Sequence, residues 1–233
     1  MFERVPTAYS CSRTLSTKSG RSLNRVTWET DEMFVKVCGL DSVANARVAV
    51  AAGAEAIGVV MSPRSPRDLG FEAAVDIVAA VRGEVETVLV VREMPAVEAA
   101  ETAIQLGVDV LQLHGRRYRQ DDFTAACAVV PRLWRATSLS DNPDLTVGAW
   151  GEERLLLDAP KAGSGERWDL SALIDRRPDG EWLLAGGLTP DNVAEAITAA
   201  QPWGVDVSSG VESAPGVKDP ALIRAFVAAA RGH

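Results

Sequence analysis

The chain is short of the residues that build metal and disulfide sites. Among its 233 residues there are three cysteines (Cys11, Cys38, Cys127) and two histidines (His114, His233). An odd and scattered set of cysteines argues against a disulfide framework and against a metal knuckle. Two histidines, one of them the last residue, argue against a zinc or metal-hydrolase centre, so no metal is expected. No apolar run approaches the ~20 residues that a membrane-spanning helix needs. Basic residues are outnumbered, 24 Lys and Arg against 32 Asp and Glu, for a formal net charge of -8. That balance argues against nucleic acid or an anionic membrane as partner. A local pocket for a small phosphate needs only a few donors and stays open. A soluble, cytoplasmic protein is expected.

What is present is apolar content and a regular alternation. Hydrophobic residues supply 47% of the chain, enough to bury one core, so a single domain is expected. From Phe34 onward short β-branched runs alternate with alanine-rich stretches of helical pattern. The strand candidates are 34–38, 55–61, 85–91, 109–113, 131–137, 154–158, 182–186 and 204–208. Helix candidates lie near 42–52, 71–82, 95–106, 119–128, 141–148, 169–176, 190–200 and 219–231. Most strands are apolar on successive residues, as when helices and a packed interior cover both faces. Asp41 or Ser42 and Thr189-Pro190 offer helix starts, and Gly53 and Gly107 offer left-handed ends. Eight strand–helix units predict a (β/α)8 barrel over residues 33–233, with a doubly wound open sheet as the alternative.

Residues 1–32 do not share this pattern. The first 28 hold Arg4, Arg13, Lys18, Arg21 and Arg25 against the single acid Glu3, and nine are serine or threonine. They lack the apolar region of a secretory signal. The segment reads as a disordered extension, either transit-like or upstream sequence read through to a start at Met33.

Chemistry-bearing residues gather at strand ends. Cys38 closes the first strand and is followed by Gly39, with Lys36 two residues earlier on the same face. A lone strand cysteine also serves as a small core residue, but positive charge at a strand end would favour its thiolate. Asp158 ends Leu155-Leu156-Leu157, where a carboxylate needs partners or a function. Apolar surroundings are expected to raise its pKa and suit it to general acid work; capping a loop amide is the plainer alternative. Gly186-Gly187 and Ser208-Ser209-Gly210 follow the seventh and eighth strands, the usual phosphate-binding turns of such a barrel. Ser62-Pro63-Arg64-Ser65-Pro66-Arg67 presents arginines on a rigid turn, suited to a carboxylate or to plain solubility. His114 ends another strand, where core hydrogen bonding competes with a site role. Gly163-Ser164-Gly165 reads as a lid loop or a long turn.

These residues stand in motifs that resemble the phosphoribosylanthranilate isomerases of tryptophan biosynthesis. The pieces are Val35-Lys36-Val37-Cys38-Gly39, the Ser62–Arg67 turn, Leu111-Gln112-Leu113-His114-Gly115, Gly163-Ser164-Gly165 with Trp168-Asp169, Ala185-Gly186-Gly187-Leu188-Thr189-Pro190-Asp191-Asn192-Val193, Asp206-Val207-Ser208-Ser209-Gly210-Val211-Glu212, and Pro215-Gly216-Val217-Lys218-Asp219. They follow the family's order from residue 34 to 231. The resemblance implies a (β/α)8 barrel that carries out an Amadori rearrangement without a metal or organic cofactor. It assigns Cys38 as general base, Asp158 as general acid and Arg67 as ligand of the anthranilate carboxylate. It assigns the Gly186-Gly187 and Ser208-Ser209-Gly210 turns to phosphate; His114 and Asp206, in the same motifs, are further candidates for substrate contact. The implied partner is a small phosphorylated aromatic sugar, with a homodimer left open.

The chain departs from the family at Val90-Val91-Arg92-Glu93, where a Phe-Val-Asn-like strand end is common. It departs again after Asp158, with Ala162 in place of a usual glycine and Leu170 where tryptophan often follows. Three rivals remain. The histidine-pathway sugar isomerase resembles a two-aspartate design, against which Cys38 speaks. Indole-glycerol-phosphate synthase resembles a lysine/glutamate design, for which Lys36 is the only opening. The third rival is a barrel that binds a phosphorylated ligand without turnover.

Overall fold

Runs of valine and leucine on successive positions require cover on both faces of a sheet. The computed structural model, which describes residues 33–158, 173 and 176–232, meets that requirement by closing the sheet on itself. The strands are β1 (Phe34–Cys38), β2 (Ala56–Val60), β3 (Glu86–Val91), β4 (Val110–His114), β5 (Leu133–Ser138), β6 (Arg154–Asp158), β7 (Trp182–Ala185) and β8 (Gly204–Val207). They pair in sequence order, all parallel, and β8 returns to β1 with Phe34 opposite Gly204 and Lys36 opposite Asp206. The open doubly wound sheet is thereby ruled out. A short antiparallel hairpin, β9 (Glu212–Ala214) and β10 (Val217–Lys218), follows β8.

Six α-helices are present among the described residues: α1 (Val43–Ala52), α2 (Phe71–Val81), α3 (Ala96–Leu106), α4 (Gln120–Cys127), α5 (Val193–Ala200) and α6 (Pro220–Arg231). Ser42 caps α1, its hydroxyl accepting from the Asn45 N–H at 3.3 Å, and Gly53 ends it at φ 95°. Residues pointing out of the barrel, such as Val35, Ile57, Leu89, Leu111 and Leu155, pack with the helices. Residues pointing in, such as Phe34, Val88, Val110, Trp134 and Leu183, form a second core along the axis. Period-2 alternation sorts the two sets.

The N-terminal end of the barrel is plugged by an arginine. The Arg154 guanidinium lies 4.6 Å from the Phe34 ring, 4.9 Å from Trp134 and 4.4 Å from Trp203. Its charge is matched by Glu86 and Glu181, each at 2.8 Å. With this end closed by stacked cation and rings, the opposite end is left for a ligand.

Two helix expectations are corrected. Residues 141–148 form no α-helix; a short 3-10 turn, Leu139–Asp141, leads into an irregular loop. Asn142 (φ 47°) and Gly148 (φ 86°) break the helical path, and Pro143 lies between them. Arg135 of β5 holds the loop instead, donating to the Asp144 and Thr146 carbonyls at 2.9 and 3.2 Å and to Glu152 at 2.7 Å. The helix placed at 190–200 starts at Val193. The Asn192 side chain accepts from the Thr189 N–H at 2.8 Å and donates to the Gly187 carbonyl at 2.9 Å, so Pro190 opens a turn and not the helix. The expectations for residues 1–32 and for the Gly163-Ser164-Gly165 loop fall outside the described residues. The 169–176 helix meets them only at buried Leu173 and at Arg176. Among the described residues no helix is long and apolar enough to cross a membrane.

Candidate active site

Parallel strands bring all their C-terminal ends to one rim. Cys38, His114 and Asp158 are the last residues of β1, β4 and β6, and Asp206 lies within β8. A cavity of about 160 Å³ opens there, lined by Cys38, Arg67, His114, Asp158, Gly186, Gly187, Asp206, Ser208 and Ser209. Of the candidates named from sequence, only Gly210 is not on its wall. A Cβ at Gly210 would stand 1.8 Å from the Leu188 carbonyl oxygen, so this glycine lets the β8 turn cross the β7 turn closely.

Two glycines make room for Cys38 and Arg67. A Cβ at Gly58 of β2 would stand 2.9 Å from the Cys38 sulfur. Gly39 has φ 73°, and a Cβ there would stand 2.6 Å from Cδ of Arg67, so the Arg67 stem passes over the turn after Cys38. The thiol itself is buried, with only 7% of the residue exposed.

At the floor of the cavity, Lys36 Nζ, fully buried, donates to Asp206 Oδ1 at 2.7 Å. Burial alone would lower the Lys36 pKa. Asp206 and Cys38 outweigh it, and the ammonium is held in its charged form. Around Cys38 the balance runs the other way. Burial pushes the thiol up, Lys36 and Lys218 pull it down, Asp206 opposes them, and the net direction is upward. At neutral pH Cys38 is therefore a neutral thiol, and the cations expected to favour thiolate are present without prevailing.

Asp158 reverses the direction expected from sequence. Burial does raise it, but His114 Nε2 lies 2.8 Å from Oδ2, and with Arg92 and Lys36 the neighbours bring its pKa below the ordinary value. Burial is the largest single influence on Asp158, and only the neighbours together outweigh it.

The turn after β7 holds Gly186 and Gly187 at φ 84° and 69°, and no atom lies within 4 Å of a Cβ built on Gly187. The N–H groups of Gly187, Ser209 and Gly210 have no acceptor among the described residues. The β8 turn is tied down from below. Ser208 Oγ donates to the Cys38 carbonyl at 3.1 Å, and Lys218 Nζ donates to the Ser208 carbonyl at 2.9 Å.

Four residues that sequence reasoning did not single out belong to this region. Arg92 lines the cavity beside Asp158, and its signal was its place immediately after β3. Gln112 also lines it; its Oε1 is buried without a hydrogen-bond partner, an acceptor left for a ligand. Glu212 binds Arg67 through two hydrogen bonds, at 2.5 and 2.8 Å, and Lys218 joins it at 2.8 Å. No local spacing announces those contacts. Among the described residues no group of three His, Cys, Asp or Glu could hold a metal ion.

Residues 35–229 match the family model for N-(5'-phosphoribosyl)anthranilate (PRA) isomerase. The chain belongs to that family. A curated relative, the N-(5'-phosphoribosyl)anthranilate isomerase of Geobacter metallireducens, is 40% identical over 205 residues, covering 84% of this chain and 98% of the relative. Among solved structures, TrpF from Jonesia denitrificans is similar with a TM-score of 0.82 and 60% identity, covering 86% of this chain and 97% of that one. A phosphoribosyl anthranilate isomerase in complex with reduced 1-(o-carboxyphenylamino)-1-deoxyribulose 5-phosphate matches with a TM-score of 0.74 and 29% identity, covering 86% and 100%.

Proposed function

We propose that the chain isomerises N-(5-phosphoribosyl)anthranilate to 1-(2-carboxyphenylamino)-1-deoxyribulose 5-phosphate, a step of tryptophan biosynthesis. The observation that carries this reading is one cavity holding a thiol, a carboxylate paired to histidine, an arginine fork and two open glycine turns. Family membership supplies the substrate.

The N–H groups of the Gly187 and Ser209-Gly210 turns take the 5'-phosphate, and Arg67 takes the ring carboxylate. Asp158, protonated, donates to the ribofuranose ring oxygen through Oδ1, which is free of hydrogen bonds among the described residues; Oδ2 faces His114. The C1'–O bond breaks and the nitrogen lone pair forms a protonated Schiff base. Cys38 as thiolate removes the proton from C2', and the electron pair moves into an enolamine. Protonation at C1' and loss of the enol O2'–H proton give the aminoketone, the two transfers leaving the net proton count unchanged.

The resting protonation states are the reverse of those the chemistry uses, since Asp158 is drawn down and Cys38 pushed up. Substrate supplies the correction. Its phosphate and carboxylate add negative charge that raises Asp158, and the iminium charge beside Cys38 lowers the thiol. Lys36 and Lys218 already act in that direction on the sulfur. The two groups end with opposed roles set by their surroundings.

A fluorescence assay following consumption of phosphoribosylanthranilate by the purified protein tests the reading. Turnover lowered by about 10²–10⁴-fold in Cys38→Ser is the expected result. Binding of substrate without turnover in the intact protein would leave a non-catalytic barrel. Turnover of the histidine-pathway aminoaldose in place of this substrate would select the other isomerase.

A further inference from the structure

The carboxylate-binding arginine does not stand alone. Glu212, the first residue of β9, accepts from Arg67 Nε at 2.5 Å and from Nη2 at 2.8 Å. It also accepts from Lys218 Nζ at 2.8 Å and from the Gly216 N–H at 3.2 Å. Four donors occupy one carboxylate whose side chain is only 4% exposed, so Glu212 has no capacity left for a ligand. Its effect is on Arg67. A guanidinium has five N–H groups, and Glu212 fixes two of them on one edge. Nη1 has no acceptor among the described residues, while Arg67 lines the cavity.

The backbone agrees with the side chains. Gly216 turns the β9–β10 hairpin at φ 80°, and a Cβ there would stand 2.1 Å from the Pro66 carbonyl oxygen. The hairpin therefore rests on the residue immediately before Arg67. Charge agrees too: two cations, Arg67 and Lys218, share one anion, and a unit of positive charge is left for a ligand carboxylate to balance.

We propose that Glu212 is a positioning residue that holds the Arg67 guanidinium with its free edge toward the cavity, and so sets the preference for substrates with a carboxylate beside the aryl amine. This rests on the reading of Arg67 as the carboxylate ligand. Without the two-point grip the long side chain samples its other rotamers, and ordering it then opposes each binding event.

The test uses the full chain and two probes: the reduced product analogue, and the same compound lacking the ring carboxyl. Calorimetry gives wild-type preference for the first probe of about tenfold or more, the scale of a charge-assisted pair. In Glu212→Gln that preference falls roughly tenfold while affinity for the second probe stays within about twofold. KM rises by a similar factor and kcat is little changed, as for lost uniform binding. Glu212→Asp keeps the charge and regains part of the preference, and it carries the test if the glutamine variant does not fold. Equal weakening of both probes, or failure of both variants to fold, makes Glu212 merely structural and overturns the proposal. A wild type that binds both probes equally refutes the Arg67 assignment itself, a result read without any variant.

Discussion

His114 and Asp158, at the ends of two strands separated by β5, meet with Nε2 and Oδ2 2.8 Å apart. That contact, joined by Arg92 and Lys36, outweighs burial and draws the Asp158 pKa below its ordinary value. It also divides the carboxylate into an oxygen facing imidazole and an oxygen without a hydrogen bond among the described residues.

Replacing Asp158 by Asn keeps the shape and removes the transferable proton. The chemical step is expected to slow by roughly 10²–10⁴-fold, the usual contribution of a general acid. Single-turnover fluorescence measures it, with affinity for the reduced product analogue as the control. A variant with the parent's rate would move the acid elsewhere.

Cys38→Ser exchanges a thiol for a hydroxyl that ionises far less readily in the same place. Turnover should fall by about 10²–10⁴-fold, while Kd for the reduced product analogue changes little. Wild-type-like turnover would remove Cys38 from the mechanism.

All eight strands were legible because their signal is local: short runs rich in apolar residues, set between alanine-rich stretches of helical pattern. The strand ends observed lie within two residues of those read from sequence. What was illegible depended on long-range contacts. The loop at 141–148 is supported by Arg135, a buried residue of the preceding strand whose donors replace helical hydrogen bonds. Asp158's pKa direction comes from His114 on β4 and Arg92 after β3. Arg67's partner Glu212 lies 145 residues away in sequence. Composition and spacing carry no record of such pairings.

Gly187 combines φ 69° with empty space around a Cβ position. Gly187→Val meets backbone strain and places its side chain where a phosphate would approach the turn. It should weaken phosphorylated product binding by at least about tenfold, the loss of one or two charge-assisted hydrogen bonds, and leave anthranilate binding unchanged. Calorimetry with both ligands decides, and equal losses would place the phosphate at a different turn.

The Arg135–Glu152 pair supports the loop that replaces the expected helix, and neither residue lines the active cavity. Both side chains are almost wholly buried, at 2% and 0% exposure. Glu152→Gln leaves a buried guanidinium without its counter-charge, at a cost of about 3 kcal/mol. A chain of this size should then melt roughly 6–12 °C lower. Turnover per folded molecule at 25 °C should be unchanged. An unaltered melting temperature would mean that the Asp144 and Thr146 carbonyls suffice for Arg135.

The pH dependence follows from the two opposed shifts. Resting enzyme carries its proton on Cys38, above the ordinary 9.0, and not on Asp158, below the ordinary 3.8. The form used by the proposed mechanism holds the proton on Asp158 and not on Cys38, so both forms contain the same number of protons. Free-enzyme kcat/KM should therefore be flat from about pH 5 to pH 8, since no titration of this pair intervenes. As pH rises through the thiol's pKa, the single proton is lost and activity falls, so the alkaline limb reports Cys38. As pH falls through the carboxyl's pKa, a second proton arrives, so the acid limb reports Asp158. The depressed carboxyl also contributes stability that is present above its unfolded pKa and lost as pH drops through the folded one. Circular dichroism must accompany the acid limb for that reason. The rate of Cys38 alkylation by iodoacetamide against pH gives the thiol's pKa directly, with a midpoint above 9.0 expected. A midpoint near neutrality, with a kcat/KM optimum confined to the same region, would show that Cys38 rests as thiolate and that burial does not dominate its environment.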